Sequence, residues 1–285
     1  MQANLRRLIS EHRLEDLSER IVSAASPAIA VIKQPPGVDF IGASRLGGHP
    51  DVPGDFVWPR RSGQPLGLLA QLNCAEIAGS DAGNEHALPG AGLLHFFYDL
   101  EEHPWGFDPK DKGGAVVVHS NAQGLARAAA PPDLNPNSIL TAVPVGFRRI
   151  LTLPTDGAAA YEALGIPECQ IDDYFGLVEA LAKANFDGPA CHQLLGHSMN
   201  VQGDMQLECQ WASSGLNLSR ASAYRDPKGI ELAPGAAEWR LLLQLDSDDE
   251  LNVMWGDCGM IYFWIRDCDL QQRRWDGTWT ILQSL

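Results

Sequence analysis

"LLAQLN" at residues 68–73 and "LLLQLD" at residues 241–246 share four of six positions and set a glutamine at the same point in a leucine run. A second pair follows them in the same order: "GLLHFF" at 92–97 and "GMIYFW" at 259–264. The glutamines stand 173 residues apart (244 − 71) and the glycines 167 (259 − 92), so the two spacings differ only by a change of loop length. One recurring motif is weak evidence of repetition, whereas two in the same order are stronger. The pattern predicts two similar halves, about 40–120 and 190–285, packed on each other or sharing a sheet.

Gln71 and Gln244 each interrupt an otherwise apolar strand. A buried amide left without partners costs on the order of 1–3 kcal/mol, so both must bond to something. Two outcomes are open. Each amide ties a neighbouring backbone in its own half, or both face a common cleft and hold a polar ligand.

Outward from these runs, strands are expected at 66–72, 93–98, 115–119 and 143–153, then at 205–211, 239–245, 253–255 and 260–265, with "WTILQ" as the last. Between the halves, 156–186 has helical spacing, with Tyr174, Leu177, Val178 and Leu181 on one stripe and Asp172 or Asp173 placed to cap it. Leu5, Leu8, Ile9, Leu14, Leu17, Ile21 and Val22 predict an amphipathic N-terminal helix or two short ones. The expected fold is α+β and β-rich, an antiparallel or mixed sheet in one domain, 1–285, with an N-terminal amphipathic helix and a central helical insertion.

The chain carries 36 Asp and Glu against 21 Lys and Arg, a formal charge of −15. That balance argues against nucleic acid or an anionic membrane as partner and favours a basic protein or a small neutral or cationic ligand. No apolar run reaches the roughly 18 residues that cross a bilayer, and the N-terminal segment lacks the apolar core of a signal peptide, so the expected location is cytoplasmic. The six cysteines form no C-x-x-C pair and are expected to be reduced, with Cys209, Cys258 and Cys268 in apolar or strand-like surroundings.

In "NVMWGDCGMIYFW", residues 252–264, Asp257 lies between Gly256 and Cys258-Gly259. The structural reading is an Asx-turn, with the carboxylate accepting from the amide two residues on. The functional reading makes Asp257 an acid or base with Asp204 and His197. Cys191, His192 and His197 with Asp204 or Cys209 make a poor zinc set, since Gly196 interrupts any helix that would align them. "SDDE" at 247–250 reads as a solvated loop with too few oxygens for calcium. "GGHPDVPG" at 47–54 is no phosphate cradle, because its prolines remove the amide donors. No metal and no cofactor is therefore expected. Trp58 and Trp105 fall in Pro/Gly-rich loops, where an aromatic serves as a binding anchor.

The strings "GGHPDVPGDFVWP", "GQPLGLLAQLN", "ALPGAGLLHFFYD", "WRLLLQLDSDDELNVMWGDCGMIYFWI" and "DLQQRRWDGTWTILQ" resemble the YwqG family of bacterial proteins, catalogued also as a domain of unknown function (DUF1963-like). The likeness spans about 47–283, leaving out the N-terminal helix and much of 122–189. The resemblance implies a cytoplasmic α+β protein without an established reaction, and relatives linked to toxin and immunity loci imply protein binding. The family's Gly-Tyr-Pro before a Gln-Gly-Asp-like element is here Gly196-His197-Ser198 before Gln202-Gly203-Asp204. The leading expectation is a non-catalytic protein, immunity- or antitoxin-like, that recognises another protein through loops at 47–58, 101–108 and 197–204, with Trp58, Trp105, Gln71, Gln244 and Gln202 as binding candidates. The alternatives are a hydrolase-like enzyme or a small-ligand or carbohydrate receptor using Asp257, Asp204 and His197 in a cleft between the halves.

Overall fold

The computed structural model describes residues 1–37, 40–81, 83 and 87–285. Helices α1 (Gln2–Glu11) and α2 (Ser18–Ala24) lead into strand β1 (Ser26–Lys33). Next come β2 (Arg45–Leu46), β3 (Asp51–Val52), β4 (Arg60–Arg61), β5 (Gln64–Pro65), β6 (Gly67–Asn73) and helix α3 (Cys74–Gly79). Strands β7 (Leu93–Tyr98), β8 (Ala115–Ser120), β9 (Ala126–Arg127) and β10 (Val143–Thr152) follow, then α4 (Ala159–Leu164) and α5 (Ile171–Asn185). The chain ends through β11 (Gln193–Leu194), α6 (Met205–Ser213), α7 (Pro227–Leu232), β12 (Trp239–Asp246), β13 (Met260–Arg266), α8 (Asp267–Gln271) and β14 (Trp279–Gln283).

Ten strands form one antiparallel sheet in the order β14-β13-β12-β11-β1-β10-β2-β6-β7-β8. The order is palindromic in kind: from either edge come three long strands, a two-residue strand, and one strand of the central pair. At the centre β1 and β10 run antiparallel with Ile32 opposite Gly146. The connections cross there, because β2 pairs with β10 and β11 pairs with β1.

The sheet curls until its two ends meet, giving a β-rich α+β protein around a nearly closed barrel. Phe96 on β7 meets Phe263 on β13 edge-on at 5.3 Å between ring centroids, and Tyr98 meets Trp255 at 5.7 Å. Strand β14 is tied to the segment after β7 by the Leu282 N–H donating to the Trp105 carbonyl (3.1 Å) and the Trp279 indole donating to that of Gly106 (2.9 Å). Apolar side chains of both ends share the core inside, among them Leu69, Leu94, Leu243 and Ile261. This is why β6 and β12 read as near-continuous leucine: their outer faces are covered too. Phe56 and Trp58 cover Leu66, Leu68 and Phe97 on one side, and α6 covers Leu241, Tyr262 and Trp264 on the other. The N-terminal helices pack against α4 and α5 in a separate cluster around Leu8, Leu17, Tyr174 and Leu177.

Several sequence expectations are corrected. Residues 205–211 are helix, not strand: Met205, Leu207, Cys209 and Trp211 mimic a period of two, but the N-terminus is fixed by the Asp204 carboxylate accepting from the amides of Gln206 (2.9 Å) and Leu207 (3.2 Å). Residues 253–255 make only an isolated bridge, Val253 to Asp248. Helix α5 starts at Ile171 without a side-chain cap, and Asp172 and Asp173 lie in its first turn, favourable to the helix dipole. Cys258 and Cys268 are exposed, whereas Cys209 is buried. The "SDDE" loop is not simply solvated: buried Asp248 accepts from Lys33 (2.7 Å) and from His192 Nε2 (3.0 Å).

Candidate binding surface

Both glutamine amides are bonded to backbone, in the same way. Gln71 Nε2 donates to the Ala43 carbonyl (2.8 Å) while its Oε1 accepts from the Asp51 amide (2.6 Å). Gln244 Nε2 donates to the Cys191 carbonyl (2.8 Å) while its Oε1 accepts from the Met199 amide (2.9 Å). The partners correspond by one offset of 148 residues (191 − 43 and 199 − 51). Further pairs obey it. His95, opposite Gln71, bonds through Nε2 to the Asp51 carbonyl (3.1 Å), and Tyr262, opposite Gln244, donates to that of Met199 (2.6 Å). The Asn73 amide donates to Ser44 Oγ (2.8 Å) and the Asp246 amide to His192 Nδ1 (3.1 Å). Gly47-Gly48 and Leu195-Gly196 both take left-handed backbone, with φ of 63° and 71° against 60° and 72°. The signal lay in the sequence: "LGGHPDVPGD" at 46–55 and "LLGHSMNVQGD" at 194–204 share Leu, Gly-His and Val-x-Gly-Asp, with one residue inserted.

The two loops differ in chemistry. Asp51 is fully buried, and its carboxylate accepts from Arg45 Nη1 (2.9 Å), Arg127 Nε (2.9 Å), Gln71 Nε2 (3.0 Å) and the Gly42 amide (2.8 Å). Burial alone would raise its pKa, but these bonds outweigh it and hold the carboxyl well below the ordinary range. His95 is buried and pushed down to about 4, chiefly by loss of hydration, so it is neutral. Met199 occupies the place of Asp51 in the later loop.

The remaining candidates separate into two groups. Trp105, Gln202 and Asp257 converge on residues 282–285. The Trp105 indole is 40 % exposed, lies against Phe107 at 6.5 Å, and stands on a backbone pinned to Leu282. Gly106 (φ 85°) permits that approach, since a Cβ there would lie 1.9 Å from the Thr280 carbonyl oxygen. Gln202 donates to the Ser284 carbonyl (2.8 Å), and its own amide and that of Val201 donate to Gln283 Oε1. Gly256 brings the third element in, a Cβ built on it lying 3.7 Å from the edge of the Trp105 ring. Exposed Asp257 follows, its carbonyl accepting from the Leu285 amide (3.2 Å). The expected Asx-turn does not form: the Gly259 amide donates to the Trp255 carbonyl (2.8 Å), and the Asp257 carboxylate takes no hydrogen bond among the described residues.

The other group is dispersed. Trp58 donates to the Leu66 carbonyl (2.8 Å) and packs edge-on against Phe97, half-buried on the outer face of the sheet. Asp204 caps α6, with its pKa raised by burial. The His197 ring bonds to the Ala24 carbonyl (2.8 Å). No hydrogen bond among the described residues joins His197, Asp204 and Asp257 to one another.

No helix among the described residues is long and apolar enough to cross a membrane. No curated protein matches the chain. Every strand of the ten-stranded sheet except β1 falls within residues 44–284, the span matched by the family model described as "Domain of unknown function (DUF1963)", and the chain belongs to that family.

Proposed function

We propose that this is a cytoplasmic binding protein of the YwqG-like kind that recognises a basic protein through the surface around Trp105, on a frame of two similar halves. The observation that carries the reading is Trp105: a large aromatic held partly in solvent by a backbone hydrogen bond to β14. A pinned anchor loses little conformational freedom on binding, and tryptophan is among the commonest residues to dominate an interface. Beside it, the Asp257 carboxylate takes no hydrogen bond among the described residues, and the whole chain carries −15. An arginine or lysine laid on the indole gains a cation–π contact and an ion pair together. A toxin domain neutralised by this protein would be one such partner. The shared offset of the bonds around Gln71 and Gln244 supports the two-half frame. His197 and Asp204 are held by separate partners, and no hydrogen bond among the described residues joins either to Asp257, which favours binding over hydrolysis.

The test is capture of partners from native lysate, followed by reconstitution with the purified candidate. Trp105→Ala is expected to raise Kd about 30-fold, equivalent to about 2 kcal/mol, with folding unchanged. Asp257→Asn is expected to reduce the salt dependence. A partner bound equally by the wild type and both variants would reject the proposal.

A further inference from the structure

Glu208 stands in the first turn of α6, half-buried, with its carboxyl oxygen Oε2 sealed from solvent and without a hydrogen-bond partner among the described residues. An oxygen sealed in that way disfavours the carboxylate, which needs donors that the site does not give. A like charge lies one turn earlier, on Asp204, whose carboxylate is engaged by the amides of Gln206 and Leu207. Burial first, and Asp204 second, push the carboxyl of Glu208 up to about 7.

The other charged side chains around α6 are engaged elsewhere. Arg266 of β13 donates to Gln210 Oε1 (3.2 Å), Lys228 of α7 to the Ser214 carbonyl (2.9 Å), and Arg240 of β12 pairs with Asp267 (2.9 Å). Asp226 accepts from the Lys228 amide at the start of α7 (2.9 Å), while Arg220, Arg225, Glu231 and Glu238 are exposed. Strand β14 carries no charged residue. Cys209, beside Glu208, is fully buried, and loss of hydration keeps its thiol neutral.

The two sides of α6 are held differently. Toward the sheet it lies on Leu241, Tyr262 and Trp264 in one apolar cluster. Its outer cover is the segment 214–226, of which Leu216, Leu218 and Ala223 reach that cluster and most other side chains are exposed. Backbone bonds seat this cover: the Leu216 amide donates to the Trp211 carbonyl (3.0 Å) and the Leu218 amide to that of Phe107 (2.7 Å), while Asn217 Nδ2 donates to Asp108 Oδ2 (2.6 Å). Tyr224 of the cover meets Trp211 edge-on at 5.8 Å, nearly one turn after Glu208. Burial first, and the charge of Glu208 second, raise the pKa of Tyr224, which places the cover beside the carboxyl.

We infer that Glu208 is a pH-sensitive latch: as the neutral acid it keeps residues 214–226 seated on α6, and as the carboxylate it loosens them, and with them their hold on Phe107 and Asp108 beside Trp105. An ionised Glu208 must find water for Oε2, and the cover is the side that opens with the least loss of packing. Once open, Glu208 is hydrated and titrates near the ordinary value of about 4.3. The closed state is therefore favoured most below that value, and the advantage is lost as pH rises toward about 7. Between the two values the opening constant rises about tenfold per pH unit, and above them it levels off.

The experiment follows the full chain by NMR from about pH 5 to about pH 8, reading the Glu208 side-chain ¹³C shift and the amide-exchange protection factors of Leu216 and Leu218. The carboxyl is expected to titrate near 7, and both amides are expected to lose at least tenfold in protection between about pH 5 and about pH 7 while staying less protected than the amides of β13. Glu208→Gln, which keeps the neutral shape, is expected to hold their protection constant. A midpoint below about 5, protection in the wild type that does not change with pH, the same fall in Glu208→Gln, or protection equal to that of β13 throughout would overturn the inference. No partner enters this test, so the latch and the Trp105 binding surface fail independently.

Discussion

Replacing either buried glutamine by leucine removes both polar atoms at nearly constant volume, and the paired geometry predicts unequal costs. In Gln244→Leu the Met199 amide and the Cys191 carbonyl lose their partner. At roughly 1–3 kcal/mol for each stranded group, offset in part by the added apolar surface, the net loss is about 2–4 kcal/mol. Gln71→Leu strands the Asp51 amide, leaves the Ala43 carbonyl only a long bond from Arg45 (3.5 Å), and in addition strips one donor from the buried Asp51 carboxylate. A hydrogen bond to a charged group contributes about 1.5–3 kcal/mol, so this variant is expected to lose about 3.5–7 kcal/mol. Urea titration followed by tryptophan fluorescence reads both. With a slope of about 3 kcal/mol/M, the midpoints should fall by about 1 M for Gln244→Leu and further for Gln71→Leu, at unchanged slope. Losses below about 0.5 kcal/mol in either variant, or a larger loss at Gln244, would refute the reasoning that these amides hold the loops.

Other outcomes follow from the same contacts. Asp51 has a depressed folded pKa, so its contribution is present above the unfolded value of about 3.9 and is lost as pH falls toward the folded one; Asp51→Asn should flatten the acid limb of the stability curve measured by urea midpoints between pH 3 and 7. His95 stays neutral down to about 4 while the unfolded chain protonates near 6.5, so stability should fall by up to about 3 kcal/mol across that window as pH drops, and His95→Gln should remove the slope. Gly106→Ala keeps the Trp105 indole but cannot keep its loop against the Thr280 carbonyl, so it should weaken partner binding as Trp105→Ala does, read by the same affinity measurement. Gly196→Ala combines a left-handed backbone with a Cβ 2.5 Å from that of Ala28 and should lower the thermal midpoint more than Gly203→Ala, where nothing lies within 4 Å.

The leucine-glutamine runs were legible because both faces of β6 and β12 are covered, which leaves a continuous apolar string with one conspicuous amide. Their pairing with two-residue strands was not, since two residues carry no periodicity. Helix α6 was misread because four apolar residues at every second position imitate a strand, and the capping Asp204 was the signal that outweighed them. Trp105 is singled out by loop composition and Gln202 by the Gln-Gly-Asp-like element of the resemblance. Their meeting with Asp257 at residues 282–285 depends on the sheet closing on itself, a contact between segments far apart in sequence that no local pattern encodes. Asp51 was invisible as a buried ion, because "HPDVPG" resembles any polar turn; its two arginines, Arg45 and Arg127, lie six and 76 residues away.

Native-state amide exchange at Asp51 and Met199 tests most directly whether two corresponding buried amides hold two corresponding loops. Both N–H groups are predicted to be strongly protected in the wild type, with Gln71→Leu releasing Asp51 alone and Gln244→Leu releasing Met199 alone. Fast exchange at either position in the wild type, or protection at both that neither substitution changes, would contradict the account.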